Sequence, residues 1–169
     1  AGGAITDEGT QEITGITTIT AQNSSGVNQD VTLDISTNNF ADDVRIIAGK
    51  DVSLRNSDDF KLGAQTISGN LTIVAIGVNG DIDDGGLLDV EGTTDITATG
   101  YVKLNNGDAS GPSDYTGAVS IDAGGQIVIK DGNSIELGTI TTTGTFTLTA
   151  SLATGTTGTV TQTEAGTIT

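Results

Sequence analysis

Cysteine, methionine, tryptophan and histidine are all missing from this 169-residue chain, and proline occurs once, at Pro112. Without cysteine there are neither disulfides nor thiol chemistry, so the chain carries no sign of a redox compartment. Without histidine it lacks the side chain that most often serves in general acid–base catalysis. Five aromatics, Phe40, Phe60, Tyr101, Tyr115 and Phe146, are too few to fill a broad core. Any core must therefore be thin and built from Val, Ile, Leu, Ala and Thr. Six basic residues stand against 22 acidic ones, for a net charge of −16. That balance argues against nucleic acid, whose phosphates need Lys and Arg, and against anionic membrane surfaces. It favours solubility and discourages like molecules from meeting at low salt. No apolar run approaches the ~20 residues that span a bilayer. No signal peptide opens the chain, although Ala1 is not an initiator Met and leaves processing open.

What is present is glycine (25), threonine (30) and repetition. Gly3-Ala-Ile5-Thr-Asp7 returns as Gly80-Asp-Ile82-Asp-Asp84 and again as Gly158-Thr-Val160-Thr-Gln162, with starts 77 and 78 residues apart. Residues 3–21 and 80–98 align without a gap and share nine of nineteen identities. A second block, Phe40–Ala75, aligns with Tyr115–Ala150 at a constant offset of 75. The repeat units are 3–79, 80–157 and a partial 158–169. The third copy stops after twelve residues, which suggests a segment of a longer array. Fixed self-similarity of this kind is the signature of stacked repeats, and it makes a scaffold the first expectation. Disorder is the alternative for a polar, acidic chain, but isoleucine and valine recur at repeated positions in strict alternation.

That alternation has period two: Val44-x-Ile46, Val52-x-Leu54, Phe60-x-Leu62, Leu71-x-Ile73, Val102-x-Leu104, Ile127-x-Ile129, Phe146-x-Leu148. Period two puts one face inward and leaves the other polar, as a strand covered on one side requires. Asn79-Gly80, Asn106-Gly107 and Asp131-Gly132 are corner residues between such strands. No segment offers the apolar stripe of an amphipathic helix. The expected fold is all-β. A sandwich would not explain a 75-residue block recurring in register, whereas in a solenoid each coil covers the last and equivalent positions stack. The strand starts Val44, Leu71, Thr94 and Val119 lie 27, 23 and 25 residues apart. They predict three coils of about 25 residues per repeat, in one column about 30 Å long at the usual inter-strand spacing. Four coils of about 19 residues is the competing count. The insertion Asp108–Ser113 is expected to leave the column as a loop.

Asn39-Phe40, Asp114-Tyr115-Thr-Gly-Ala-Val119, Ile135-Glu-Leu137-Gly138, Gly69-Asn-Leu71-Thr-Ile73 and Gly3-Ala-Ile5-Thr resemble the unit of filamentous-haemagglutinin-like bacterial surface proteins, the β-strand repeat proteins. The resemblance covers nearly the whole chain. It implies a right-handed parallel β-helix inside a giant secreted or surface-displayed adhesin-type chain, with no catalytic or ligand residues to transfer. Expected partners are neighbouring repeats of the same or identical chains, and host or cell-surface glycans or proteins.

Asn79–Gly86 is the densest cluster of oxygen ligands. Asp81, Asp83 and Asp84 are the candidate metal residues there, with calcium as the candidate ion. If Ile82 points inward, Asp81 and Asp83 share an outer face about 7 Å apart. Asp84 stands where the calcium-loop pattern wants glycine, and no glutamate follows at the required distance, so a solvated acidic turn competes with the metal reading. Asp42-Asp43, Asp58-Asp59 and Glu8 carry the same two readings. Some parallel β-helices act on polysaccharides, which needs a carboxylate pair or a basic group in a cleft. The only basic cluster, Arg45, Lys50, Arg55 and Lys61, instead suggests a surface ladder, with Arg55 matched by Lys130 in the next copy. No enzyme activity is expected. The threonines of 139–149 invite an ice-binding reading, but the matching segment 64–74 keeps only Thr66 and Thr72. Asn23-Ser24-Ser25 and Asn70-Leu71-Thr72 fit the N-x-[ST] glycosylation triplet, a pattern common by chance. The function expected is that of a non-catalytic stalk or scaffold of an extracellular fibre. A filament or coat subunit joined through edge strands is the alternative, and a carbohydrate- or ice-binding module is a third reading.

Overall fold

A computed structural model gives the fold, described here for residues 2–105, 113–150, 158–163 and 166–169. Most of the insertion Asp108–Ser113 therefore lies outside the described residues. Strands form wherever the period-two pattern runs between Gly, Asn or Asp corners, and every strand–strand ladder among them is parallel. The first coil is β1 (Ile5–Thr6), β2 (Glu12–Ile13) and β3 (Thr17–Thr20). The second is β4 (Val31–Leu33), β5 (Asn39–Phe40) and β6 (Val44–Gly49), and the third is β7 (Val52–Asn56) and β8 (Phe60–Ile67). β9 (Leu71–Ala75), β10 (Ile82–Asp84) and β11 (Leu88–Val90) make the fourth; β12 (Thr94–Ala98), β13 (Val102–Leu104) and β14 (Asp114–Tyr115) make the fifth. β15 (Val119–Ala123), β16 (Ile127–Asp131), β17 (Ile135–Thr142), β18 (Phe146–Ala150) and β19 (Val160–Gln162) complete the stack. This is a β-solenoid of about six coils of roughly 23 residues, a little under the expected 25. Among the described residues there is no helix, and so none long and apolar enough to cross a membrane.

The column has three faces. On the first, β1, β4, β7, β9, β12, β15 and the far half of β17 stack in that order. On the second, Phe60–Leu62 of β8 carries β10, then β13, β16 and β18. On the third, β3 pairs with β6, β6 with the far half of β8, then β11 and β14 follow. Two strands bend across a corner without breaking. β8 does so at Leu62-Gly63, where two successive residues are buried, and β17 repeats the device at Leu137-Gly138. A Cβ on Gly63 would lie 2.4 Å from Cγ of Arg45, so any larger residue at this bend would have to displace the Arg45 side chain. Other corners extrude loops, and these set the uneven coil lengths. After β3, Gly26 takes φ 76° and the Asn23 carboxamide accepts from Ser25 N and Val27 N at 2.9 and 3.0 Å.

Inward residues form one unbroken aliphatic column from Ile19 to Ile140. Leu54, Ile73, Ile96 and Ile121 stack coil upon coil on the first face. Three of the five aromatics enter the core: Phe40 and Phe60 stack at 6.1 Å between ring centroids, and Tyr115 is fully buried. At ~25 cal/mol per Å² of buried apolar surface, each such side chain stabilises the column by about 1.5–3 kcal/mol.

The repeat does not close on a whole number of coils. One copy supplies nine strands, and bent β8 counts as two segments, so ten segments are laid down three to a coil. Each copy thus advances three coils and one further face. Ile5 stands on the first face, its repeat Ile82 on the second, and Val160 on the third, against Ile135. Val44 is accordingly on the third face and Val119 on the first, so the Val44 start does not belong with Leu71, Thr94 and Val119, which do stack. The expected charge ladder fails for the same reason: Arg55 lies on β7 of the first face and Lys130 on β16 of the second.

Candidate functional site

The acidic turn after Asn79 is where sequence placed its candidate ligands, and the strand alternation decides where each side chain goes. Ile82 is fully buried in β10, so Asp81 and Asp83 lie on the outer side of the second face, while Asp84 turns inward and is 5 % exposed. The Asp81 carboxylate accepts from Tyr101 N at 2.8 Å, and that of Asp83 accepts from the Tyr101 hydroxyl at 2.8 Å. Inside the corner, Asp84 accepts from Asn105 N at 3.0 Å. The three candidates are thus split between two sides of the sheet, and among the described residues no group of three acidic side chains converges on a metal-sized site.

Outside, Asp83 is flanked in register by Lys61 of the coil before and Lys103 of the coil after. The row reads basic, acidic, basic, and Lys103 Nζ also lies 4.2 Å from the Tyr101 ring centre, a cation–π contact. Its hydrogen bond to Asp83 holds the Tyr101 phenol up at about 12, because ionisation would set two anions together. Sequence missed this row because Lys61, Asp83 and Lys103 are about twenty residues apart and no motif joins them. The basic cluster read from sequence is dispersed: Arg45 is on the third face, Arg55 on the first and Lys61 on the second. Arg45 pairs with Asp43 at 2.9 Å, and Lys50 reaches Asp51 at 2.9 Å and Asp30 of the preceding coil at 3.6 Å.

A second polar feature was not foreseen. Asp7, Asn38 and Asn56 occupy one corner in three successive coils, and the latter two are solvent-inaccessible. Asn38 donates to Asp7 at 2.7 Å and accepts from Gln11 N at 2.9 Å, and Asn56 accepts from Phe40 N at 2.8 Å and donates to Phe40 O at 3.2 Å. These bonds satisfy backbone groups that the turning chain would otherwise bury unpaired. The next copy repeats the corner one face further on, as Asp84, Ser113 and Asp131: Ser113 Oγ accepts from Leu88 N at 3.1 Å, and Asp131 from Tyr115 N at 2.9 Å. Here the amide of copy one has become a carboxylate. Burial pushes Asp131 above the ordinary carboxylate range, partly offset by its bonds from Asn133 N and Tyr115 N, and raises the Tyr115 phenol strongly. On the third face Asp89 stands opposite Asp114 and is likewise raised, by burial first and then by Asp114 and Glu91.

The outer side of the first face is a shallow polar strip. Thr6, Thr32, Ser53 and Thr72 form one row of hydroxyls that Asp95 interrupts before Ser120. A groove crosses the strip among Asp95, Thr97, Ser120, Asp122, Thr139 and Thr141.

A three-faced stack of parallel coils, stapled by buried polar corners that include the carboxyl groups of Asp84 and Asp131, defines a repeat protein of the β-solenoid class. The chain belongs to the DUF5649 family, described as repeats of unknown function, whose model matches residues 1–47 and 49–122. Neither the curated proteins nor the solved structures contain a match to it.

Proposed function

We propose that this chain is a non-catalytic, load-carrying segment of a long extracellular bacterial fibre, acting as a stiff stalk or surface scaffold. The observation that carries the reading is the uninterrupted aliphatic column inside parallel ladders on three faces. Such a column resists bending because strand ladders join successive coils on its faces, with the side chains of Asn56 and Asp131 bridging where β5 and β14 end a ladder, and each coil contacts only its neighbours. The adhesin-type setting rests on the resemblance to β-strand repeat surface proteins. Antibody raised against the chain should label intact cells of the source organism; labelling that needs permeabilised cells overturns the surface assignment.

A second reading is a self-assembling filament or coat subunit joined end to end through edge strands. Phe146 and Leu148 are only half-buried, although the residues they repeat, Leu71 and Ile73, are fully buried. Glycan or host-protein contacts would fall on the outer hydroxyl strip of the first face. Calcium, if it acts, would do so by relieving the self-repulsion of a chain of net charge −16.

A further inference from the structure

We propose that Asn79 is a site of spontaneous covalent modification, where the main chain closes onto the side chain and reopens as aspartate or isoaspartate. The corner that carries it joins β9 to β10 in the fourth coil. Coils three and five lie on either side of it, so the site does not depend on what adjoins the chain.

The chemistry needs an Asn or Asp side chain and, directly after it, a main-chain N–H free to attack. Glycine in second place helps most, having no Cβ to crowd the ring and a backbone that turns easily. Three such pairs lie among the described residues: Asn79-Gly80, Asp84-Gly85 and Asp131-Gly132. Their glycine N–H groups differ. Gly85 N donates to Leu62 O at 2.8 Å and Gly132 N to Ser113 O at 2.7 Å, each a bond between coils. Gly80 N donates no hydrogen bond among the described residues. Asparagines before other residues are guarded as Asp84 and Asp131 are: the N–H groups after Asn38, Asn56 and Asn70 donate to Gln11 O, Asn38 O and Thr93 O at 2.7, 2.8 and 2.8 Å. A bonded N–H must be pulled out of its ladder before it can attack, which costs a local opening of the column.

Asn79 is exposed, next to Val78 at 99 % exposure, so its carboxamide can turn and water can reach the ring. The fold also demands the glycine. A Cβ on Gly80 would lie 2.6 Å from both Ala75 O and Thr99 Oγ1. Gly3 and Gly158 hold the matching place in the other copies, but they follow Gly2 and Thr157, so asparagine precedes this glycine in copy two alone.

The steps balance with water as the one reagent. Gly80 N loses its proton and bonds to Asn79 Cγ, while the Cγ–Nδ2 bond breaks and Nδ2 leaves as ammonia. Water then opens the cyclic imide. Cleavage between Gly80 N and Cγ gives aspartate. Cleavage between Gly80 N and the Asn79 main-chain carbonyl carbon gives isoaspartate, whose chain runs on through Cγ with an added methylene. That extra length enters where the corner is pinned to the next coil, Thr99 N donating to Ala75 O at 3.1 Å and Gly100 N to Gly80 O at 3.2 Å. Either product adds a carboxylate close to Asp81 and Asp59, which are themselves linked by a bond from Asp81 N to the Asp59 carboxylate. The converted fraction records the age of the folded chain.

The test follows each pair in the full-length chain, folded in neutral buffer and unfolded in urea, by protease digestion and mass spectrometry that separates aspartyl from isoaspartyl peptides. The ratio of unfolded to folded rate at one site cancels the chemistry of the pair and reads its protection. That ratio should stay below about threefold at Asn79 and reach at least about tenfold, or ~1.4 kcal/mol of barrier, at Asp84 and Asp131. A ratio at Asn79 that equals or exceeds the one at Asp131 overturns the proposal, because the corner would then guard its N–H like the ladders. Absence of isoaspartate at position 79 in both folded and unfolded chains overturns it on the chemistry.

Discussion

Replacing Asp131 by asparagine should make the protein more stable at neutral pH, and the structure indicates by how much. Asp131 is solvent-inaccessible, and its carboxylate accepts from Tyr115 N at 2.9 Å and from Asn133 N at 2.7 Å. Copy one shows that an amide fits the same corner, where Asn56 both accepts from Phe40 N and donates to Phe40 O and Asp59 O. The substitution gives up one accepted hydrogen bond, about 0.5–1.5 kcal/mol net. It removes a buried charge whose desolvation costs several kcal/mol before its hydrogen bonds are counted. A net gain of about 1–2 kcal/mol follows, or a melting temperature about 3–6 °C higher for a chain of this length. The sign of the pH dependence is fixed by the direction of the shift. Because the folded carboxyl is raised above its unfolded value of 3.8, its favourable contribution is complete below that value and disappears as pH climbs through the folded one. The two proteins should therefore melt alike in acid and diverge toward neutrality. Thermal melts by circular dichroism from pH 3 to 8 make the comparison. A variant that melts at or below the parent at pH 7, or by a pH-independent margin, refutes the reasoning.

Ile73→Ala removes a fully buried side chain between Leu54 and Ile96; it should cost about 2–5 kcal/mol. Hydrogen exchange should show protection lost first in the third to fifth coils, and uniform loss would contradict nearest-neighbour coupling. Asp83→Asn should bring the Tyr101 phenol down from about 12 toward the ordinary 10, read by ultraviolet absorbance in an alkaline titration. Lys50→Ala should destabilise more at low salt than at high salt, since it neutralises Asp30 and Asp51 in adjacent coils. Asp51, held below the ordinary carboxylate range by Asn70 N and Lys50, supplies stability above the unfolded value that is lost as pH falls. Millimolar calcium at low salt should raise the melting temperature if Asp81, Asp83 or the stacked pair Asp89–Asp114 takes up the ion; an unchanged value removes calcium from the account.

Much of the fold could be read from residues alone because burial and alternation have the same period: Leu71-x-Ile73 and Ile127-x-Ile129 point inward as their pattern requires. The corner at Leu62-Gly63 was visible as an aligned pair with Leu137-Gly138, although its meaning as a bend needed coordinates. The stepping of the repeat from face to face was not legible. It depends on how many strands close one coil, and corner loops of unequal length hide that number. The polar corners were missed because Asn38, Asn56 and Asp131 read as ordinary turn residues. A signal was available: Asp7 recurs as Asp84, and Asn56 is matched by Asp131 at the constant offset of 75. Asp81 and Asp83 share the outer side expected of them once Ile82 points inward, while Asp84, for which no direction was read, follows the parity of β10 into the interior.

The one-face advance bears on how such rods behave beside one another. Sequence duplication normally gives a rod a seam, the same side chains ranked along one flank, and seams let neighbours zip together sideways. Here each duplicated patch is turned a third of the way round before it recurs, and three copies, about 48 Å at the usual strand spacing, pass before it faces the same way again. Two parallel rods could then touch through matching patches only at intervals, which favours separate shafts over lateral bundles.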